Sequence, residues 1–294
     1  LIFFLMSSLS FYFLLRNFLK NYESLLVVSV FFSTPLIFWM SNETRVDMYL
    51  LFFSIINTII FLKLIKIENN LNKFNLLFIN IFLLSVYPLT ISLIISQLFF
   101  TLLKKKFNIF LLILFSLVAY FFINYDYFVD KATNREYHFA KLNLNFFLGY
   151  YFNIFFGSVL FGAIFLSFFV YFLIKNINKI IQHELLLFTF ICIFLTYLMV
   201  IVSTLFVTPI AAPRYIIFII PFILVFIFSN VFLFEKSRKL TIFFFIISLL
   251  NISYNYNEQP ISKPKIYNTL SLIKKFEEKN IFLEPQQKLY TNYI

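Results

Sequence analysis

Glycine occurs 3 times in 294 residues, cysteine once and histidine twice, and only 13% of the chain is charged. Each shortage closes off a class of chemistry. The single Cys192 lies inside an apolar run, so neither a disulfide framework nor a cysteine metal site can be built. The histidines, His138 and His183, fall in separate polar connectors, which argues against a His-paired site. No Ser-His-Asp arrangement and no phosphate-binding P-loop is spelled anywhere in the chain.

What is abundant is apolar surface. Hydrophobic residues make up 62% of the chain and Phe alone appears 48 times. A water-soluble domain has too little interior to hide this much apolar area, whereas a bilayer supplies an apolar solvent for it. The heavy use of Phe, Ile, Leu, Lys and Asn has the character of codon bias in an AT-rich genome, so the aromatics by themselves carry little functional information. The formal charge of +11 does not mark a nucleic-acid face. Its Lys and Arg stand singly or in short clusters between apolar runs, a pattern suited to anionic headgroups and to topology control. The chain begins with Leu inside an apolar run, without an initiator Met or a basic leader, and is read as a fragment of a longer protein.

Apolar runs fall at about 1–15, 25–40, 47–66, 75–103, 107–124, 149–174, 185–207, 215–234 and 240–253, against the ~20 residues that cross a bilayer. Backbone groups in hydrocarbon must be satisfied within their own segment, so each run is expected to be helical. The run at 75–103 is too long for one span and holds Tyr87-Pro88 near its middle, which predicts a hairpin of two short helices around the proline. The expected fold is therefore an all-α polytopic transmembrane bundle of about 9–10 helices over residues 1–253, with a small extracytoplasmic tail at 254–294. Within that tail Leu270–Phe276 has the pattern of a short amphipathic helix and Ile281-Phe282-Leu283 that of a strand, as at the start of a small soluble domain.

Counting Lys and Arg in the connectors sets the orientation. The stretches 16–24, 63–74, 104–106, 175–184 and 235–239 hold 13 of them, against 5 in the connectors of the opposite side. The first set is assigned to the cytoplasm. The unusual polar chemistry then collects on the outer face: Glu43, Arg45 and Asp47, the hairpin apex at Tyr87, the loop 125–145, and Pro213-Arg214-Tyr215.

Glu43 and Asp47 are four apart and share a helix face if the helix begins by Glu43. An acidic pair beside Arg45 can orient a hydroxyl, bind a metal, or hold a phosphate through the Arg while a carboxylate takes a proton. The plainer reading is a helix start whose acids suit the dipole, with Arg45 at the headgroups. Arg214, next to Tyr215 at the mouth of an apolar helix, can clamp a phosphate or anchor the helix at the interface, and position alone favours the anchor. The 125–145 loop carries Asp126, Asp130, Arg135, Glu136 and His138 but no metal-ligand spacing, so it is read as a solvated connector.

Taken together, these residues resemble polytopic glycosyltransferases of the GT-C superfamily, the broad group related to protein mannosyltransferases and to bacterial lipid A aminoarabinose and lipopolysaccharide-core sugar transferases. Three passages carry the resemblance over roughly residues 1–250: Ser33-Thr34-Pro35 followed by Ser41 to Tyr49; Ser85-Val86-Tyr87-Pro88-Leu89-Thr90; and Pro213-Arg214-Tyr215 opening a helix with Pro221. It implies inverting transfer from a polyprenyl-phosphate sugar donor to a lipid, glycan or protein acceptor at the extracytoplasmic face of a bacterial inner membrane. A carboxylate would deprotonate the acceptor while cations stabilise the departing phosphate. The family's principal acidic motif lies in the first extracytoplasmic loop, which the resemblance places upstream of Leu1 in this chain, so no catalytic base is assigned. The resemblance makes Glu43, Arg45, Asp47, Tyr87, Arg214 and Tyr215 substrate-binding candidates, with Tyr87 standing where some relatives have Lys. No cofactor is implied, no metal is indicated, and the partners are the donor, the acceptor and membrane lipids, with no nucleic acid. The competing class is a transporter or lipid flippase, which needs polar or ionisable groups near the bilayer midplane. The span centres read mostly as Phe, Ile and Leu.

Overall fold

The computed structural model describes residues 2–41, 47–125, 155–206, 213–235, 239–240, 242–247 and 249–250. The chain divides into two units, Leu1–Ile252 and Ser253–Ile294, and every described residue belongs to the first. The helix and strand expected at 270–283 and the loop 126–145 lie outside the described residues.

Among the described residues the chain is all-helical, with no strand. Helix α1 (Ile2–Arg16) ends on its only basic residue, which suits the negative end of the helix dipole. Helix α2 (Asn21–Phe32) starts with the Glu23 carboxylate accepting from the Lys20 backbone N–H at 2.9 Å. It stops at Ser33-Thr34, whose hydroxyls both donate to the Val30 carbonyl, and Pro35 opens α3 (Pro35–Ser41) at a first-turn position where its missing N–H costs nothing. The run 25–40, expected as one span, is thus broken into two helices, and the break is the Pro. Helix α4 (Asp47–Lys66) begins with an acid and ends with Lys63 and Lys66, so both termini complement the dipole.

The Tyr87-Pro88 hairpin forms as the proline dictates. Helix α5 (Asn70–Val86), capped by Asn69 Oδ1 accepting from the Leu71 N–H at 2.9 Å, ends at Tyr87. A single 3-10 turn (Pro88–Thr90) leads into α6 (Ile91–Leu103). The turn from α6 to α7 (Phe107–Ile123) is closed by Lys106 N–H donating to the Thr101 carbonyl at 2.9 Å and Lys105 N–H to the Leu102 carbonyl at 3.1 Å. Lys105 takes the left-handed backbone (φ 56°) that this double closure requires and that glycine usually supplies.

The second half holds α8 (Val159–Gln182), kinked at Asn176, then α9 (Glu184–Phe206). A 3-10 segment (Pro213–Ile219) follows, then α10 (Ile220–Ser229) and a π-helical segment (Asn230–Glu235). Among the described residues four helices are long and apolar enough to cross a membrane by length and composition: Asp47–Lys66, Val159–Gln182, Glu184–Val202 and Ile216–Glu235. The last is apolar on every side up to Ser229 and is almost wholly buried, as an all-round hydrophobic helix at the centre of a packed unit must be. Around it Phe188 of α9 stands 5.0 Å from Phe61 of α4, 5.5 Å from Phe100 of α6 and 6.1 Å from Phe222 of α10, centroid to centroid. These tilted and edge-on contacts tie four helices at one point.

Contacts between turns define the two ends of the unit. The Phe18 ring, in the α1–α2 turn, has Lys66 Nζ 4.9 Å above it and the His183 ring of the α8–α9 turn 6.1 Å away. Glu184 next door faces Lys104 Nζ at 4.0 Å. Near this end Lys175 bonds Glu235 at 2.8 Å. The connectors that the Lys and Arg count groups together therefore meet at one end. Because α2 leaves this end and α4 returns to it, α3 and Asp47 stand at the other, and Tyr87 stands there too, between outgoing α5 and returning α6.

Candidate functional site

Asp47 is the first residue of α4 and is buried. Its helix and α3 both pack against the 3-10 segment Pro213–Ile219. At a rise of ~2 Å per residue that segment is only about 14 Å long. Arg214 and Tyr215 belong to that segment, although some 170 residues separate them from Asp47 in sequence. The Leu36 N–H also donates to the Phe155 carbonyl at 3.4 Å, so the chain entering α8 closes on α3. The segment that carries Arg214 and Tyr215 is thus packed against α3 and α4, the two helices that bound the Ser41–Tyr49 passage. Glu43 and Arg45 lie outside the described residues, as do the side chains of Arg214 and Tyr215. The helix face expected to be shared by Glu43 and Asp47 includes Glu43 and so lies outside the described residues. Tyr87 is half-buried, caps the end of α5 and accepts through its carbonyl from the Thr90 N–H at 3.0 Å and the Thr90 hydroxyl at 2.8 Å. Its 3-10 turn packs on α5 and α6, the two helices it joins.

The second polar feature was not anticipated. Near the middle of four helices, Gln97 Nε2 of α6 donates to Asn57 Oδ1 of α4, and Asn57 Nδ2 donates to Asn80 Oδ1 of α5 at 2.6 Å. Asn80 Nδ2 then donates to Ser116 Oγ of α7 at 3.4 Å, and Ser116 donates to the Ile113 carbonyl at 2.6 Å. All four side chains are fully buried. Every amide donates in the same direction, so the chain has a head, Gln97, whose Oε1 has no partner among the described residues. A parallel connection joins Thr196 of α9 to Ser92 of α6 at 3.0 Å. A third, Asn176 Nδ2 to Asn230 Oδ1 at 3.1 Å, ties the kink of α8 to the start of the π-helical segment. The signal in the sequence was faint: one Asn or Gln inside a long apolar run scarcely changes its hydropathy.

At the lysine-bearing end, His183 is half-buried and its Nδ1 has no hydrogen-bond partner among the described residues. Burial is the main cause that lowers its pKa, with Lys66 adding to the effect and Glu184 opposing it. The ring is thereby held neutral. Among the described residues no group of three or more His, Cys, Asp or Glu could hold a metal ion.

No protein-family model matches this chain, and no curated protein or solved structure is detectably similar to it.

Proposed function

We propose that the chain is the multi-pass membrane domain of a glycosyltransferase that moves a sugar from a polyprenyl-phosphate donor to an acceptor at the extracytoplasmic face. The observation that carries this reading is the packing of α3 and α4, which flank the Ser41–Tyr49 motif, against the segment opened by Pro213-Arg214-Tyr215. The helices that bound the first passage and the segment that opens the second are remote in the chain and pack on each other, which supports a shared site. In this scheme Arg214 forks onto the lipid phosphate and stabilises it as it leaves, and Asp47 with Arg45 forms the facing wall of the donor or acceptor pocket. The scheme assigns Glu43 and Tyr215 to the same mouth and Tyr87 to the same face. No residue of this chain is assigned as the catalytic base. The membrane is a bacterial inner membrane, with the lysine-bearing end cytoplasmic by the positive-inside rule.

The test is sugar transfer from a polyprenyl-phosphate donor in membranes carrying the full-length protein. Asp47→Asn and Arg214→Ala are each expected to lower the rate by about a hundredfold, the usual loss for one transition-state donor, with membrane insertion unchanged. Unaltered transfer in both variants overturns the site assignment.

One observation favours a second reading, a transporter or lipid flippase: polar groups do converge at mid-helix, in the Asn57–Asn80–Gln97–Ser116 network. Substrate-dependent flux through proteoliposomes containing the protein, abolished by Asn57→Leu, is the result that would establish it.

A further inference from the structure

Four turns far apart in sequence are pinned together at the lysine-bearing end. The pins are the Lys66 ammonium over the Phe18 ring, the Phe18 ring beside His183, and Glu184 facing Lys104. The stretches 16–24, 63–74, 104–106 and 183–184 together carry eight Lys or Arg and three carboxylates, Glu23, Glu68 and Glu184. Each carboxylate is already engaged: Glu23 with the Lys20 N–H and the Tyr22 hydroxyl, Glu68 with Lys73 at 3.2 Å and Glu184 with Lys104 at 4.0 Å. The excess of positive charge left at this end favours anions supplied from outside.

The backbone adds a second argument. Lys105 sits at the left-handed position of its turn, where a non-glycine side chain costs free energy. Strain kept at a surface turn calls for a use for the side chain that bears it. The third argument is the apolar flank. Ile67 is 73% exposed, Phe74 65% and Phe107 62%, all within a turn or two of the lysines. A soluble anion would leave these side chains in water, whereas a lipid covers them with its acyl chains while its phosphate meets the ammonium groups.

We infer that this junction is a binding site for an anionic phospholipid, whose phosphate is held by Lys66, Lys105 and Lys106 and whose chains lie along Ile67, Phe74 and Phe107. The inference rests on the membrane reading above and is independent of sugar transfer.

The experiment uses the full chain reconstituted in nanodiscs of phosphatidylcholine, with and without phosphatidylglycerol, reading retained lipid by native mass spectrometry. Alkaline extraction of the same protein from membranes is run first. The expected result is selective retention of phosphatidylglycerol. It should fall about a hundredfold in Lys66→Gln/Lys105→Gln/Lys106→Gln, at roughly fivefold per basic residue near an anionic headgroup, and persist in the matching triple Arg variant, which keeps the charge. Inorganic phosphate should not displace the lipid. Equal retention of both lipids, an unchanged Gln variant, or displacement by inorganic phosphate overturns the site while leaving the membrane reading intact. Extraction of the protein by alkali overturns both together.

Discussion

Asn57 and Asn80 offer the sharpest energetic test of this architecture, because each is buried and their side chains bond each other at 2.6 Å. Asn57→Leu removes the acceptor for Gln97 Nε2 and the donor to Asn80 Oδ1. Two buried polar atoms are then stranded, one on α6 and one on α5. An unsatisfied buried group costs about 1–3 kcal/mol. Measured side-chain bonds between membrane helices average nearer ~0.6 kcal/mol, because partly unfolded helices find other partners in lipid. The expectation for Asn57→Leu is therefore a loss of about 1–4 kcal/mol from its two broken bonds. Asn80→Leu strands only Asn57 Nδ2, since Ser116 keeps its own bond to the Ile113 carbonyl, and should cost about 1–2 kcal/mol. The double variant removes the stranded partner along with its bond, so it should cost less than the sum of the singles, by about 0.5–2 kcal/mol. Equilibrium unfolding of the four proteins in bicelles, by steric trapping or denaturant, gives all the numbers of the cycle. Strict additivity of the two substitutions would refute the network as the device that joins α4 to α5.

Two further outcomes follow from the lysine-bearing end. Lys105→Gly should raise stability by about 0.5–1 kcal/mol, the left-handed penalty less the added freedom of glycine in the unfolded chain; an unchanged or lower melting temperature in detergent refutes the turn geometry. His183 is held neutral by burial with Lys66 nearby, so its folded pKa lies below the ordinary value of 6.5. Its contribution is fully present above pH 6.5 and is lost as pH falls through the lowered value, where the unfolded state binds the proton first. Melting temperature should accordingly decline from pH 7.5 to 5, and His183→Gln should flatten the decline; an identical slope in that variant assigns the acid sensitivity elsewhere.

The sequence was most legible where chemistry interrupts an apolar run. Pro88 announced the hairpin because a proline cannot continue α5. Asp47 at one end and Lys63 and Lys66 at the other bounded α4 at the residues the structure gives it. Where the interruption was weak the reading blurred. Pro35 stands after the barely polar Ser33-Thr34 in a run of only about one span's length, so α2 and α3 merged into one expected span although the proline parts them. Which side of each helix faces the interior was not readable at all. α7 buries Ile109, Ile113 and Leu117 and exposes Leu111, Phe115 and Phe122, residues of one chemical kind on both faces. The periodicity that reveals a core in a water-soluble helix vanishes when the expected solvent is itself apolar. The packing of α3 and α4 on the segment Pro213–Ile219 was not legible, because nothing local in either passage records the other.

The amide network bears on the choice between the two functional readings, and its details weigh against a path through the unit. A conducting or flipping route needs ionisable groups or polar walls open to water at mid-depth. Asn57, Asn80, Gln97 and Ser116 are neutral and fully buried. Their bonds run in one direction from α6 through α4 and α5 to α7 and end on a backbone carbonyl. That is a closed fastening, in which each side chain is consumed by its neighbour and only Gln97 Oε1 is left over among the described residues. Polar side chains that cement helices to one another in this way hold the hairpin α5–α6 and its neighbour α7 against α4. Anchoring α4 at its centre in turn fixes it among α5, α6 and α7 and against the 3-10 segment Pro213–Ile219 on which it packs. On this argument the buried amides serve to hold the helices together rather than to open a path between them, which removes the one observation that favoured the flippase reading over the transferase proposed above.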